Sequence, residues 1–350
     1  MSEQPIVRVG FIGAGSICQQ RHLPGLRELE AIELVAVSNR SERSSQKVAD
    51  QWGFTAIEST WQRLLIREDV DAVFIGTWPY THAEMAIAAL KAGKHVFCQA
   101  RMAMDLGQAQ AMLAAAAQRP ELVNMICPPP HRMPAEAYIR QVLSEGRLGR
   151  LRQARLLCID GSNLGALDWR QRIELSGIQV MQVGIWAETL NAWLGEYDTL
   201  VAHTATPIKT KFDDDGQPYE IRIPQIITVT GTLKSGLSII EYHSGVSTDG
   251  HCNTLWIDGE DQTLRIDIDG PVQIGGHESA MEPASIPSEL LRPWNVERDF
   301  ITAVRLAMQG VSPAHRPLTI DFAEGFRYMK KMTAIHRAAQ EGRRVCLADL

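Results

Sequence analysis

The 350-residue sequence lacks the features that mark membrane proteins and nucleic-acid-binding proteins. No apolar run reaches the roughly 18 residues that a membrane-spanning helix needs, and the first residues show no basic segment followed by an apolar stretch. Basic and acidic residues number 35 and 41, for a net charge of −6, and neither sign gathers into a run that could follow a phosphate backbone. We therefore expect a cytoplasmic protein whose partners include neither a membrane nor a nucleic acid.

Cysteine is scarce and scattered. The six cysteines form no C-x-x-C pair and no His/Cys cluster at metal-ligand spacing, so we interpret them as reduced thiols that mostly pack, and we expect no metal site. Apolar residues make up 45% of the chain and charged residues 22%, which is typical of globular proteins and excludes a disordered chain. The length predicts two domains or one large one.

The first 125 residues alternate short apolar runs with amphipathic segments, which is typical of a parallel sheet with crossover helices. The predicted strands are Ile6–Ile12, Glu33–Ser38, Ala72–Thr77, His95–Cys98 and Leu122–Ile126. The predicted helices are Glu42–Gly53, His82–Ala92 and Leu106–Gln118. Three consecutive prolines, Pro128-Pro129-Pro130, can continue neither a helix nor a ladder and mark a domain boundary. We expect an α/β protein with domains at residues 1–127 and 128–350.

From Arg152 onward, strand-like runs follow one another through short, hairpin-like connections. The predicted strands are Gln153–Ile159, Gln225–Leu233, Leu237–His243, Leu255–Asp258 and Thr263–Ile268. The predicted helices are Gly177–Trp193, Val296–Met308 and Asp321–Gln340. This pattern indicates a large, mostly antiparallel sheet accompanied by helices.

A glycine-rich turn follows the first predicted strand and opens a helical segment, which is the context that makes such a motif informative. In Gly13-Ala14-Gly15-Ser16-Ile17-Cys18, Gly13 allows the tight turn and Gly15 lets backbone amides approach a pyrophosphate. The helix start at Ser16 and Ile17 offers free N–H groups. Cys18 occupies the last glycine position of G-x-G-x-x-G, which serves helix-to-strand packing, and a small thiol can substitute there. The alternative is an ordinary strand-turn-helix with convenient glycines.

The end of the second predicted strand bears on the choice between NAD and NADP. A dinucleotide-binding fold usually places an acid there to bind the adenosine ribose, but this chain has Ser38-Asn39-Arg40-Ser41. A neutral Asn39 followed by Arg40 and Ser41 removes a carboxylate that would repel a 2′-phosphate and supplies groups that could hold one. The pattern favours NADP over NAD. The alternative is that Arg40 and the nearby Arg43 are solvated surface charges.

Four motifs resemble the glucose-fructose oxidoreductase/inositol dehydrogenase/MocA (Gfo/Idh/MocA) family in order and spacing. They are the runs 10–15 (GFIGAG), 21–26 (RHLPGL), 76–82 (GTWPYTH) and 92–98 (AGKHVFC). The likeness continues through nearly the whole chain. It implies an N-terminal Rossmann domain, a second α/β domain with a large open-faced sheet, an NAD(P) cofactor, and a homodimer or homotetramer built through that sheet. It also implies cofactor contacts at Thr77, Trp78, Pro79, His82 and Gln99.

The chain departs from this family at the residues that transfer protons during the reaction. The family's Glu-Lys-Pro, whose lysine contacts substrate, is Gln99-Ala100-Arg101 here, and its Asp-x-x-x-His pair is replaced by Gln182 and Trp186. Neither replacement in that pair can exchange a proton at neutral pH. Because alcohol oxidation couples C–H cleavage to loss of the O–H proton, another group must act as the base. The sequence thus predicts an atypical subgroup of the family.

Several side chains are candidates for the missing roles. Catalytic candidates are Arg101, Asp168, Gln182 and His131, and substrate candidates are Tyr80, Trp169, Arg170 and Trp186. Three of the predicted site residues have an alternative role. Arg101 could form a surface salt bridge, His82 could cap a helix, and Trp186 could belong to the core.

Three functions remain open at this point. The first is an NAD(P)-dependent oxidoreductase acting on a sugar, polyol or related carbonyl compound. The second is an enzyme that uses transient oxidation for glycoside cleavage, elimination or epimerisation. The third is a dinucleotide-binding protein without catalysis, which the missing lysine and histidine motivate.

Overall fold

Apolar runs in the first third of the chain form a six-stranded, wholly parallel sheet. The computed structural model describes residues 4–130, 134–178, 180–276, 279–316 and 320–350, without the side chain of Met181. The strands are β1 (Val7–Ile12), β2 (Ile32–Ser38), β3 (Ala56–Ile57), β4 (Ala72–Ile75), β5 (His95–Cys98) and β6 (Asn124–Ile126). Their order, β3-β2-β1-β4-β5-β6, is that of a doubly wound dinucleotide-binding fold. The predicted N-terminal fold is confirmed.

Helices connect these strands. They are α1 (Leu23–Arg27), which follows a π-helical turn at Cys18–His22, α2 (Glu42–Trp52), α3 (Trp61–Leu65), α4 (Pro79–Lys91) and α5 (Leu106–Ala117). Gly53 ends α2 in a left-handed conformation (φ 80°), which glycine adopts readily at the end of a helix. The fourth helix begins three residues before the predicted His82, because Pro79 suits the first helical position, where no amide hydrogen bond is lost.

A later segment belongs with this first sheet. The chain forms two compact units, Met1–Pro128 with Asn295–Phe326, and Pro129–Trp294 with Arg327–Leu350. Sequence analysis draws a single boundary after residue 127 and assigns the later segment to the second domain. Helix α9 (Val296–Met308) explains the difference, because Phe300 packs edge-on against Phe74 and Phe97 at ring-centroid distances of 5.3 and 5.6 Å.

The second unit contains a nine-stranded sheet, antiparallel except where β7 pairs with β12. Its strands are β7 (Gln153–Ile159), β8 (Tyr197–Ala205), β11 (Ile226–Leu233), β12 (Ser238–Ser244), β13 (Cys252–Asp258), β14 (Thr263–Asp267), β15 (Val272–Gly276), β16 (Ser279–Pro283) and β17 (Val345–Cys346). A separate hairpin pairs β9 (Thr210–Phe212) with β10 (Pro218–Glu220). The predicted large, mostly antiparallel sheet is confirmed.

The helices of this unit are α6 (Glu136–Ser144), α7 (Ile173–Ser176), α8 (Met181–Leu194) and the part of α10 (Phe322–Glu341) that begins at Arg327. The predicted helix start at Gly177 is wrong: Gly177 has φ 66° and ends α7, so the long helix begins four residues later. All six cysteines are free and four are buried, as predicted. Within the described ranges, no helix is both long and apolar enough to cross a bilayer.

His95 makes the stability of the first unit depend on pH. It lies at the start of β5, and its Nδ1 accepts a hydrogen bond from the Val123 amide (2.9 Å). Burial, together with the positive charge of Arg316, lowers the pKa of His95 from 6.5 to about 4. As the pH falls, His95 is therefore protonated near pH 6.5 in the unfolded chain but only near pH 4 in the folded chain. The free energy of unfolding should fall through this window by up to about 3 kcal/mol.

Urea unfolding at pH 7, 5.5 and 4.5 measures this effect. His95→Gln should flatten the pH dependence, whereas His251→Gln, which replaces an exposed histidine, should leave it unchanged. Equal slopes for the wild type and His95→Gln would contradict the assignment.

Candidate functional site

The phosphate loop lies between β1 and a helical segment that begins at Ser16. Gly13 has φ 77°, its amide donates to Ser38 O (2.9 Å), and a Cβ there would lie 2.5 Å from Thr77 Cγ2. At Gly15 the nearest protein atoms to a Cβ are 4.0 Å away, so protein packing does not require glycine there. The open space above Gly15 is what a close approach of backbone amides to a pyrophosphate needs.

Cys18 packs as its place in the motif predicts. It is buried, and a Cβ added to Gly76 at the end of β4 would overlap its Sγ. Burial raises the pKa of the Cys18 thiol to about 12, so this side chain stays uncharged. Cys18 and Gly76 together set the close contact between the helical segment and the sheet.

A groove of about 750 Å³ runs over the carboxyl ends of these strands. Eight of the predicted site residues line it: Gly13, Gly15, Asn39, Arg40, Ser41, Thr77, Trp78 and Tyr80. Ser16 and Ile17 lie exposed at the first helical turn, and Pro79 is buried at the start of α4. Sequence analysis missed Lys47 and Trp61, which also line the groove. Lys47 could have been found from its place one turn beyond Ser44 on the helix that Ser41 caps.

Asn39 holds the loop itself. Its Oδ1 accepts from the Ala14 amide (2.7 Å), and its Nδ2 donates to Ser44 O (3.2 Å). Ser41 caps α2 by accepting from the Ser44 amide. Asn39 therefore ties the phosphate loop to the start of α2, and the charge at this end of the groove comes from Arg40 and Lys47.

His82 and Gln99 are buried and form internal hydrogen bonds. The ring nitrogens of His82 face Arg101 O (2.8 Å) and Thr77 O (3.0 Å), which joins the segments after β4 and β5. Burial lowers the pKa of His82, while the hydrogen bonds to the two carbonyls act in the opposite direction. Gln99 Nε2 lies 3.0 Å from His22 Nε2, and His22 Nδ1 lies 2.5 Å from Glu297 Oε1. These two predicted cofactor contacts are not among the residues that line the groove.

The second unit has a cavity of about 140 Å³, which we call the inner cavity. It is lined by Cys158, Asp160, Ser162, Asn163, Asp168, Arg170, Gln171, Val180, Gln182, Val183, Ile223, Pro224, Gln225, Ile227, His243, Ser244 and Gly245. The structure thus brings together three predicted residues, Asp168, Arg170 and Gln182. Of the other two catalytic candidates, Arg101 is not among the residues that line this cavity or the groove, and His131 lies outside the described residues.

The two predicted tryptophans do not line the inner cavity. Trp186 is fully buried, donates from Nε1 to Asn253 Oδ1 (2.8 Å) and packs edge-on against Trp193. This is the core role that sequence analysis kept open. Trp169 is half-buried, with the Arg170 guanidinium 4.5 Å from its ring centroid.

Asp168 and Arg170 belong to a loop that Lys211 holds in place. Asp168 caps a short 3-10 helix, Trp169–Gln171, and pairs with Arg170 (3.1 Å). Lys211 is 8% exposed, and its ammonium donates to Asn163 O (2.7 Å), Gly165 O (2.6 Å) and Gln171 Oε1 (3.0 Å). Lys211 therefore fixes the loop that forms one wall of the inner cavity.

The other wall carries a histidine that sequence analysis missed. His243 on β12 is 3% exposed, and its Nε2 lies 3.0 Å from Glu241 Oε2. Glu241 also accepts from Lys331 Nζ (2.6 Å) and from the Tyr197 hydroxyl. The available signal is the alternation of β12, in which Ile239, Glu241 and His243 share the buried face, because a charged residue on a core face requires a buried partner.

Lys211→Met should release the cavity loop. Without the ammonium, several carbonyls of the loop have no hydrogen-bond donor. This loss should lower the local stability of the loop by about 1–2 kcal/mol. Tryptic cleavage after Arg170 should accelerate about five- to thirtyfold, measured by mass spectrometry of the native protein. Lys209→Met, on an exposed lysine two residues away, is the control and should leave the rate unchanged. Equal rates in both variants would exclude the anchoring role.

Comparisons with known proteins agree with this architecture. Residues 7–126 match the Gfo/Idh/MocA model, described as an oxidoreductase family with an NAD-binding Rossmann fold. A dTDP-3,4-didehydro-2,6-dideoxy-alpha-D-glucose 3-reductase of Actinomadura kijaniata is 30% identical over 51% of this chain and 53% of its own. A 1,5-anhydro-D-fructose reductase of Ensifer adhaerens is 30% identical over 43% and 44%. The chain spans about half the length of these relatives.

Solved structures match over nearly the full length. Levoglucosan dehydrogenase in complex with NADH superposes with a TM-score of 0.84 at 19% identity, covering 97% of this chain and 99% of that one. A super-repressor mutant of Gal80p from Saccharomyces cerevisiae gives a TM-score of 0.82 at 15% identity, with 98% of both chains covered. At these identities the likeness establishes the two-part fold. The family model therefore assigns residues 7–126 to the Gfo/Idh/MocA oxidoreductase family, as its NAD-binding Rossmann part.

Proposed function

We propose that the protein is an NAD(P)-dependent oxidoreductase acting on a sugar, polyol or related carbonyl compound. The observation that carries the proposal is the open phosphate loop, where Gly15 leaves room for a pyrophosphate above the helix start. The sugar-directed names of the relatives support the substrate class. When bound, the nicotinamide would supply the hydride acceptor or donor.

The groove fits a dinucleotide. Its volume of about 750 Å³ lies within the range of small-molecule and cofactor sites. The Gly13–Gly15 backbone and the helix start at Ser16 would hold the pyrophosphate. Thr77 and Trp78 line the groove where β4 ends, and we assign them to the cofactor as well.

The preference for NADP follows from the side chains at the start of α2. Arg40 and Lys47 bring two positive charges, and Ser41 and Ser44 bring hydroxyl groups, to the same end of the groove. An arginine can bind the 2′-phosphate of NADP with two hydrogen bonds, whereas the ribose 2′-hydroxyl of NAD needs only a hydrogen-bond acceptor. No carboxylate is among the residues that line this groove in the described part of the chain.

Arg40→Asp tests this preference. The substitution removes a phosphate partner and adds a repelling charge, so NADPH affinity should fall about ten- to hundredfold while NADH affinity holds or rises. Arg43→Asp makes the same charge change at an exposed residue outside the groove and should alter NADPH affinity less than threefold. Equal losses in both variants would attribute the effect to general surface charge.

Direct titration of cofactor-free protein tests the proposal as a whole. Calorimetry with NAD, NADH, NADP and NADPH should show micromolar binding, and a polyol that is a substrate should then change the nicotinamide absorbance. Product without net absorbance change would indicate transient oxidation. Dinucleotide binding without turnover would indicate a noncatalytic binding protein. No binding of any of the four would reject the proposal.

We also propose a homodimer or homotetramer formed through the open face of the large sheet. Leu157 on β7, Ile240 on the adjacent β12 and Val201 on β8 are each 36–47% exposed, and β11 lies between β12 and β8. Apolar side chains on an open sheet face favour burial against a second copy. Light scattering should give the mass of two or four 38.9-kDa chains. A mass of one chain at micromolar concentration would contradict this proposal.

A further inference from the structure

The inner cavity contains a histidine with only one ring nitrogen engaged. His243 lines the cavity from β12, and its Nε2 meets Glu241 Oε2 at 3.0 Å. Its Nδ1 is buried and has no hydrogen-bond partner among the residues that the structure describes. A buried polar atom without a partner costs stability unless a ligand satisfies it. The ring therefore has one nitrogen committed to the protein and one left for a bound molecule.

The charge on Glu241 determines which nitrogen carries the proton. Burial alone would raise the pKa of Glu241, but Lys331 at 2.6 Å and the hydrogen bond from His243 outweigh burial and hold that pKa at about 2. An ionised carboxylate only accepts hydrogen bonds, so His243 must donate from Nε2. A neutral His243 then carries its lone pair on Nδ1.

Gln182 offers a second acceptor in the same cavity. Its Nε2 points to Asp160 Oδ2 at 3.5 Å, which orients the amide, and its Oε1 is buried without a partner in the described ranges. Reversing the amide would place Oε1 beside a carboxylate, so the observed orientation is the favourable one. A ligand with two hydroxyl donors, such as a polyol, would satisfy both acceptors.

We propose that His243 is the catalytic base that replaces the missing proton-handling pair, with Glu241 as its positioning residue and Gln182 as a hydroxyl acceptor. This assignment rests on the proposed function. In alcohol oxidation His243 Nδ1 would accept the O–H proton, a bound nicotinamide would accept the hydride from the same carbon, and that carbon would become a carbonyl. The resulting imidazolium is balanced by Glu241 and later releases its proton to solvent.

Other titratable groups around the cavity are less suited to this role. Burial raises the pKa of Cys158 to about 12, so it remains a thiol. Asp168 caps the 3-10 helix and pairs with Arg170. Asp160 accepts from the Ser162 amide and from Gln182. Behind His243, Lys331 and Tyr197 both bind Glu241. Asp160 is the strongest competitor because its carboxylate lines the cavity.

The tautomer of His243 can be observed without any substrate. In the full-length protein with ¹⁵N-labelled histidine, His243→Gln identifies the His243 signals by subtraction. At pH 7.5 we expect a neutral ring protonated at Nε2, whose Nδ1 resonance shifts on addition of myo-inositol or D-glucose at high millimolar concentration. A ring protonated at Nδ1, an imidazolium, or an Nδ1 signal unmoved by every polyol tried would overturn the assignment.

Kinetics separate this inference from the proposed function. With any substrate that reduces the nicotinamide, His243→Gln should lower the hydride-transfer rate about 10²- to 10⁴-fold, because no base then accepts the hydroxyl proton. Glutamine can still donate to Glu241, so dinucleotide affinity and unfolding should change little. His251→Gln, at an exposed histidine, is the control.

Two outcomes would overturn the base assignment while leaving the oxidoreductase intact. One is a His243→Gln rate within threefold of the wild type, and the other is a greater loss in Asp160→Asn than in His243→Gln. Conversely, the expected tautomer in a protein that binds no dinucleotide would reject the proposed function and leave the histidine geometry standing.

Discussion

One buried ion pair, Lys331 with Glu241, constrains both the packing and the chemistry of the second unit. The two side chains are 1% and 0% exposed, and taking two charges out of water costs several kcal/mol each unless their geometry compensates. Here three side chains bind the Glu241 carboxylate. They are Lys331 from α10, Tyr197 from β8 and His243 from β12. The pair joins helix to sheet, and it orients the ring whose second nitrogen is left for the cavity.

The first unit depends on a different constraint, the close approach of backbone segments around the phosphate loop. Gly13, Gly76 and Cys18 leave no space for additional atoms, and Asn39 links the loop to α2. The backbone at the centre of the groove is consequently close-packed, and Arg40 and Lys47, to which we assign the choice between dinucleotides, also line the groove. In the proposed function, recognition of the shared pyrophosphate and selection between cofactors therefore fall to different residues.

Local sequence patterns predicted most of the fold. Strands β5 and β7 and helix α9 occur at the predicted residues, because apolar runs and helical periodicity are local signals. The strand Tyr197–Ala205 was missed because polar residues such as Asp198, Thr199 and His203 interrupt its apolar pattern. Gly13, Gly15 and Arg40, which line the groove, could be picked out from the sequence because each belongs to a short local motif. His243 was missed because its role depends on Glu241, Lys331 and Tyr197, which only the tertiary fold brings together.

The claim that an oriented histidine replaces the family's usual proton-handling residues is tested most directly by a crystal structure of the protein with NADP⁺ and a polyol. The account predicts a polyol hydroxyl within hydrogen-bond distance of His243 Nδ1, a second hydroxyl at Gln182 Oε1, and Nε2 still on Glu241. A polyol bound away from His243, or an Nδ1 hydrogen-bonded to another protein group in that complex, would contradict it.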